Sequence, residues 1–329
     1  MTSTNNTRKH DFWAALLHGH QVRRHLQEHA ALANETAHNV LPLSCASFRN
    51  QPDNVLALLE YGAEPNRGHG KSALHMAVVQ NHIDIVRILV EHGAQVNSDT
   101  SPPLSLAVSH GHSEITALLL QHGADPNSVD AFGITPLLAA IAKRRLDLVQ
   151  LLLQYKAKVN ASTTVLQQTP LFLAILSEQV DMVQLLIEHG ADVSVQDPRG
   201  CTPLFMAISK NHNDMVHLLL KHGADTDTKN WVGSSPLLMA VKKGNCDMVQ
   251  ALLQHNATIV EDKETTTPLF VAMALRQSEI VSLLVENGAH LHGKDRPLVF
   301  AAQTDNLDAL YSMVRQSPQR SLLADHVRA

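Results

Sequence analysis

Histidine is the residue that most invites a chemical reading of this chain, at 21 of 329 residues. Imidazoles bind metals or shuttle protons only when partners stand at the right spacing. The pairs His18/His20 and His110/His112 are two residues apart at predicted helix ends, a spacing that turns two side chains away from one helical face. His290 and His292 would converge only in an extended segment, and no Cys or carboxylate cluster at ligand spacing accompanies them. Gly68-His69-Gly70-Lys71-Ser72 ends like a phosphate-binding loop, but its glycine spacing is wrong. No Gly-x-Gly-x-x-Gly, Gly-x-Ser-x-Gly or His-Glu-x-x-His motif occurs. The expectation is a non-enzyme without catalytic residues, metal or cofactor.

Many of the histidines stand at fixed places in a longer rhythm. Pro42 returns as Pro103, Pro136, Pro170, Pro203, Pro236, Pro268 and Pro297, with Ala73 in its place once. An Ala lies four residues after each, as in Ala140, Ala174, Ala207 and Ala272. A period of about 33 residues marks a repeat architecture.

The unit can be built from its parts, counting the Pro as position 0. A helix of about eight residues starts there, since a missing N–H costs nothing at the first helical residue. Thr135, Thr169, Thr202, Ser235 and Thr267 supply N-caps. Position 11 is an acid in every unit: Asp53, Asp84, Glu114, Asp147, Asp181, Asp214, Asp247, Glu279 and Asp308. There it opens a second, more apolar helix and complements the helix dipole. Position 20 is a stop able to take a left-handed backbone, Gly62, Gly93, Gly123, Gly190, Gly223 or Gly288, with Asn256 a tolerable substitute and Lys156 the exception. His92, His122, His189, His222 and His255 precede the stop, where partial positive charge suits a helix C-terminus. His82, His112 and His212 share the turn between the helices.

A turn–helix–turn–helix unit with this punctuation resembles the ankyrin-repeat family. Its Thr-Pro-Leu-His-x-Ala signature appears with variation in Thr135-Pro136-Leu137, Thr169-Pro170-Leu171, Thr202-Pro203-Leu204 and Thr267-Pro268-Leu269. Lys71-Ser72-Ala73-Leu74-His75-Met76-Ala77 keeps the His and loses the Pro. The resemblance implies an all-α ankyrin-repeat solenoid, with eight full helix-turn-helix repeats between degenerate N- and C-terminal capping repeats. Residues 10–316 are expected to form one solenoid domain, after a disordered stretch 1–9 and before a polar tail 317–329. In the family the signature His ties neighbouring turns together. Here Leu138, Phe172, Phe205, Leu238 and Phe270 replace it, so the second half should lean on apolar packing.

Bulk properties narrow the partners. A net charge of −5 and a pI near 6.5 give no basic field for nucleic acid. The polar start has no apolar leader core, and no run approaches the roughly 20 apolar residues of a membrane helix. Three scattered cysteines, Cys45, Cys201 and Cys246, suit a reducing compartment. The expectation is a cytoplasmic monomer that binds a protein, neither nucleic acid nor membrane.

All length variation falls between position 20 and the next position 0, in the hairpin joining repeats. One-sided insertion marks a binding face, and the resemblance implies a concave groove lined by hairpin tips and first helices. Phe132, Val165 with Leu166, and Trp231 with Val232 place apolar residues on those hairpins, either as packing against neighbouring hairpins or as partner anchors. Lys143, Lys210 and Lys243 share position 7, with Arg144, Arg145, Lys242 and Arg276 beside them. That cationic row is either a solvated face or an attractor of an acidic or phosphate-bearing partner, and Ser177 and Glu178 interrupt it. Hairpin Asn97, Asn127 and Asn160 resemble positions that asparaginyl hydroxylases modify in ankyrin domains, or else simply satisfy hairpin backbone groups. The function expected is a non-catalytic protein–protein interaction module, with a regulatory or structural subunit of a stable complex as alternative. A composition rich in His, Gln and Asn also resembles secreted effectors that intracellular bacteria deliver into host cells.

Overall fold

The structure, a computed structural model, describes residues 2–68, 72–97, 101–162, 168–259 and 267–289, together with Ala301, Asp308 and Tyr311. Of residues 2–6 it describes the backbone alone. The chain divides into two compact units, residues 1–165 and 166–329. The sequence reading expects one domain over 10–316. An array of repeats has only nearest-neighbour interfaces and no global core, so it can divide between repeats.

Unit one begins with α1 (Thr2–His18), α2 (Val22–Glu28) and a short 3-10 turn over Ala30–Asn34. Residues 2–9 belong to α1, where the sequence reading expects a disordered stretch over 1–9. Phe12 and Leu16 explain this, since both are fully buried and anchor α1. Four helix pairs follow: α3 (Pro42–Phe48) and α4 (Pro52–Glu60), α5 (Ala73–Val79) and α6 (Ile83–Glu91), α7 (Pro103–His110) and α8 (Ser113–Gln121), and α9 (Pro136–Ala142) and α10 (Leu146–Gln154). Unit two holds α11 (Pro170–Leu176) and α12 (Val180–Glu188), α13 (Pro203–Ser209) and α14 (Asn213–Lys221), α15 (Pro236–Lys243) and α16 (Cys246–Gln254), and α17 (Pro268–Ala274) and α18 (Ser278–Glu286). No strand occurs among the described residues. The polar tail lies outside them, as does most of the C-terminal cap. Within each unit first helices stack on first helices, as α11, α13, α15 and α17 do, and second helices stack likewise.

The punctuation is physical. Ser72, Thr135, Thr169, Thr202, Ser235 and Thr267 each accept a hydrogen bond from the backbone N–H three residues on. Leu41 and Pro102 stand at that place in α3 and α7 without a side-chain cap. The position-11 acids fall in the first turn of every second helix from α4 to α18. Ala at position 4 is fully buried in all eight pairs, for example Ala77, Ala207 and Ala272 at 0% exposure. A larger side chain there would separate the helices.

Each repeat carries two left-handed residues, one more than the sequence reading found. Position 20 behaves as expected, with φ near +80° to +94° at its glycines and +62° at Asn256. Lys156 is not an exception in conformation, since it holds φ +63° as well. The second such place is position 8, which ends the first helix: Asn50, Asn81, Gly111, Arg144, Glu178, Asn211, Gly244 and Arg276 all have positive φ. At both places the next N–H reaches back to a carbonyl five residues earlier, as from His212 to Ala207 and from Ala224 to Leu219. This is the Schellman closure that satisfies helix-end carbonyls.

A non-glycine residue in the left-handed region carries a steric cost that glycine avoids. Lys156→Gly is therefore expected to stabilise unit one by about 0.5–1 kcal/mol. Urea denaturation checks this, and an unchanged or lowered midpoint contradicts it.

Candidate protein-interaction surface

Three hairpins share one turn, and it decides where the apolar candidates point. Asp130, Asp197 and Asn230 each accept from the N–H groups two and four residues ahead through a single side-chain oxygen. A Gly three residues on, Gly133, Gly200 or Gly233, takes φ of +70° to +73° and donates back to the same residue's carbonyl. The two residues between Asx and Gly are thereby lifted outward. In the first hairpin they are Ala131 and Phe132, in the second Pro198 and Arg199, in the third Trp231 and Val232.

Phe132 is 79% exposed, Trp231 74% and Val232 61%. These side chains are mostly open to solvent. Phe132 is equivalent to Arg199 and Val232, whereas Trp231 takes the place of Ala131 and Pro198, one residue earlier. The two aromatics therefore do not occupy matching positions. Trp231 is also fixed from below, because its N–H donates to the Arg199 carbonyl at 2.9 Å and ties the second hairpin to the third. Val165 and Leu166 lie outside the described residues.

The cations separate into different roles. Lys143 follows α9 as its C-cap and Arg144 holds the left-handed position behind it, both in unit one. Lys210 pairs with Glu178 of the preceding repeat at 3.8 Å, so the acid that interrupts the row engages its neighbour. Lys242 and Lys243 close the exposed last turn of α15. Arg145 faces elsewhere. It holds Asp147 bidentately at 2.7 and 2.9 Å, Ser113 Oγ at 2.6 Å and the Gly111 carbonyl at 2.9 Å. That guanidinium, helped by the Ser113 hydroxyl, holds the Asp147 carboxyl well below the usual carboxylate range. Arg145 is a clamp between repeats rather than part of a binding row.

The asparagines have structural work. Asn34, Asn66 and Asn97 each donate to the carbonyl of the next repeat's stop glycine, at 2.7–3.0 Å. Each also accepts from an N–H two residues further on, that of Glu64, Gln95 or Asp125. Asn127 accepts from the Lys158 N–H in the same way. Both ends of the Asn97 amide are thus in use, the backbone-satisfying role weighed for these residues.

The histidines are likewise absorbed. His92, His189 and His255 each bond through Nδ1 to the carbonyl four residues back, at 2.7–2.9 Å. That bond needs a proton on Nδ1, which a neutral ring can carry, so a positive charge is not required. His75 bridges the Ser72 hydroxyl and the Ser101 carbonyl of the next repeat, as the resemblance implied. Leu138, Phe172, Phe205 and Leu238 fill the equivalent places as buried apolar groups. At position 9, His82 reaches the Ser47 carbonyl across repeats at 2.9 Å, just as Arg145 reaches Gly111. His110 and His112 stack with centroids 5.6 Å apart. Burial pushes the His112 ring down from its ordinary pKa against a raising bond from Val79, and His110 lowers it further.

No group of three His, Cys, Asp or Glu converges on a metal position among the described residues. A cleft of about 910 Å³ in unit one, lined partly by Trp13, Leu17, Val40 and Cys45, also touches His10 and His38. Burial pushes the Cys45 thiol up, though Arg49 opposes this, which disfavours the reactive thiolate. No described helix is long and apolar enough to cross a membrane.

An all-helical array with doubly closed helix pairs and Asx-turn hairpins defines a repeat protein of the ankyrin type. The family profile for ankyrin repeats matches residues 66–130, 104–197, 162–230, 194–263 and 226–295, and the chain belongs to that family. Among solved structures it is similar to the ankyrin repeat domain of Bcl-3, described as a unique member of the IkappaB protein family. Identity is 32%, with a TM-score of 0.58, over 65% of this chain and 99% of that one. No curated protein matches the chain. Ankyrin repeats generally mediate protein–protein interaction and are typically non-catalytic.

Two predictions separate scaffold from surface. Gly200→Ala should cost about 1 kcal/mol, because the turn needs φ +70° there, although the added Cβ would meet Trp231 N at an ordinary contact of 3.5 Å. Trp231→Ala should change stability by less than about 0.5 kcal/mol. Paired denaturation curves check both. A third concerns pH. A His pKa lowered on folding means the unfolded chain binds more protons, so His112 withdraws stability as pH falls below about 6.5. His112→Gln should flatten the fall in midpoint between pH 7 and 5, and an unaltered slope counts against it.

Proposed function

We propose that this chain is a non-catalytic protein-binding module in which the hairpin tip carrying Trp231 and Val232 anchors a protein partner. One observation carries the reading: two adjacent apolar side chains, 74% and 61% exposed, stand on a turn pinned by Asn230 and by the bond from Trp231 to Arg199. A rigid, solvent-facing Trp loses little entropy on binding and buries much apolar area. Phe132 plays the same part for unit one on its own Asx turn. Arg199 and Lys229 are exposed beside Trp231 in sequence or across the hairpin pair, so the anchor sits among cations. The Asn97 and Asn127 amides serve the array by bonding hairpin backbone. Free thiols at Cys45, Cys201 and Cys246 support a reducing, cytoplasmic setting.

The test is affinity capture from eukaryotic lysate with mass spectrometry, comparing wild type, Trp231→Ala and Phe132→Ala. A partner held through these anchors should lose about tenfold or more in affinity on truncation, while helical circular dichroism is unchanged. Equal recovery of every partner by the variants would overturn the anchor role.

A further inference from the structure

Charge in this protein is sorted by layer. The first helices and the turns that close them occupy 42–50, 73–81, 103–111, 136–144, 170–178, 203–211, 236–244 and 268–276. Those stretches hold seven Lys and Arg and a single carboxylate, Glu178, in a chain of net charge −5. The acids lie almost entirely in second helices and hairpins, beginning with position 11.

In unit two the same layer also exposes apolar surface. On stacked helices α11, α13, α15 and α17, position 3 is Leu173, Met206, Met239 and Val271, all half-buried. Residues three and four further on share that helical face. For Met239 these are Lys242 and Lys243, and for Val271 they include Leu275, 51% exposed. Lys210 stands four residues beyond Met206 and already neutralises Glu178 at 3.8 Å. Lys242 and Lys243 form no ion pair among the described residues. The face is thus a half-buried apolar row with a methionine centre, edged by cations, and its only acid is spoken for. Three interhelix steps of about 8–10 Å make it roughly 25–30 Å long, the length of a five-turn helix.

We propose that this face of unit two docks an acidic amphipathic segment of a partner protein, its apolar side chains on the Met206–Met239–Val271 row and its carboxylates against Lys242 and Lys243. Methionine thioethers conform to varied apolar side chains, and the lysines supply steering and register. The proposal rests on the reading of the chain as a protein-binding module but not on the Trp231 anchor.

Panning a random 20-residue peptide library on phage against the immobilised full chain tests it directly. The expected winners are net acidic, with apolar residues at helical spacing. Synthesised and measured by fluorescence anisotropy, they should bind Lys242→Glu/Lys243→Glu at least about tenfold more weakly. Met239→Ala should weaken them several-fold, rising salt should do the same, and Lys221→Glu, at the exposed end of second helix α14, should leave affinity unchanged; Trp231→Ala is measured alongside. Circular dichroism shows that each variant is folded. Neutral or basic winners, no enrichment at all, or acidic winners that bind the charge-reversed variant as well as wild type would overturn the proposal. Winners lost only with Trp231→Ala would overturn it too, while leaving the hairpin anchor standing.

Discussion

Helices of seven to nine residues do not persist alone in water, because nucleation costs more than so few hydrogen bonds return. Every other feature of this molecule answers that constraint. Most first helices are capped at their start by a side-chain oxygen, and both helices of each pair are closed at their end by a left-handed residue and pressed against copies of themselves. Position 4 shows how tightly these answers are joined. Ala207 has no exposed surface, so neighbouring helices can approach, and its carbonyl accepts the His212 N–H that closes α13. One small residue serves packing and termination together.

The hairpins extend that logic to the loops. A chain segment between two helices would ordinarily be free to move, yet Asp130, Asp197 and Asn230 each spend one side-chain oxygen on two backbone donors. Asn34, Asn66 and Asn97 bind the stop glycine of the following repeat to the hairpin before it. Loops held this way can display the Phe132 or Trp231 side chain to solvent while their backbone holds the turn.

Much of this was legible in the sequence because backbone requirements leave strong residue preferences. The N-cap hydroxyls, the acid at position 11 and the glycine at position 20 each have few substitutes. The second left-handed place was harder to read. Asn50, Asn81, Asn211, Gly111 and Gly244 spelled it out, but Arg144, Glu178 and Arg276 stood at the same position and suggested charge instead. Arg145 was misleading for a related reason: beside Lys143 and Arg144 it looked like part of a patch, while its guanidinium reaches back to Gly111 and Ser113. Phe132 and Trp231 could be placed on hairpins from the sequence, but the turn that lifts them outward is visible only from the Asx bonds. Contacts between repeats depend on where side chains land after stacking, and a period alone does not contain that.

Once these duties are assigned, little of each repeat remains free to vary. Positions 0, 1, 4 and 5 are core, 8 is fixed by its backbone, 9 reaches to the preceding repeat, and 11 and 20 belong to helix ends. The residues left over include 3, 6 and 7 on the first helix, exposed second-helix positions such as Arg87, Gln150 and Gln250, and the two tip residues of each Asx turn. A protein built this way can change what it binds only at those places without disturbing its fold. They are also where its unusual residues collect: Met206 and Met239, Lys242 and Lys243, Phe132, Trp231 and Val232. The split between obligatory and unclaimed positions leaves the latter free to differ from repeat to repeat. It also explains how a protein of net negative charge can keep a cationic first-helix layer, because dipole complementarity confines its recurrent acids to the second helix of each repeat.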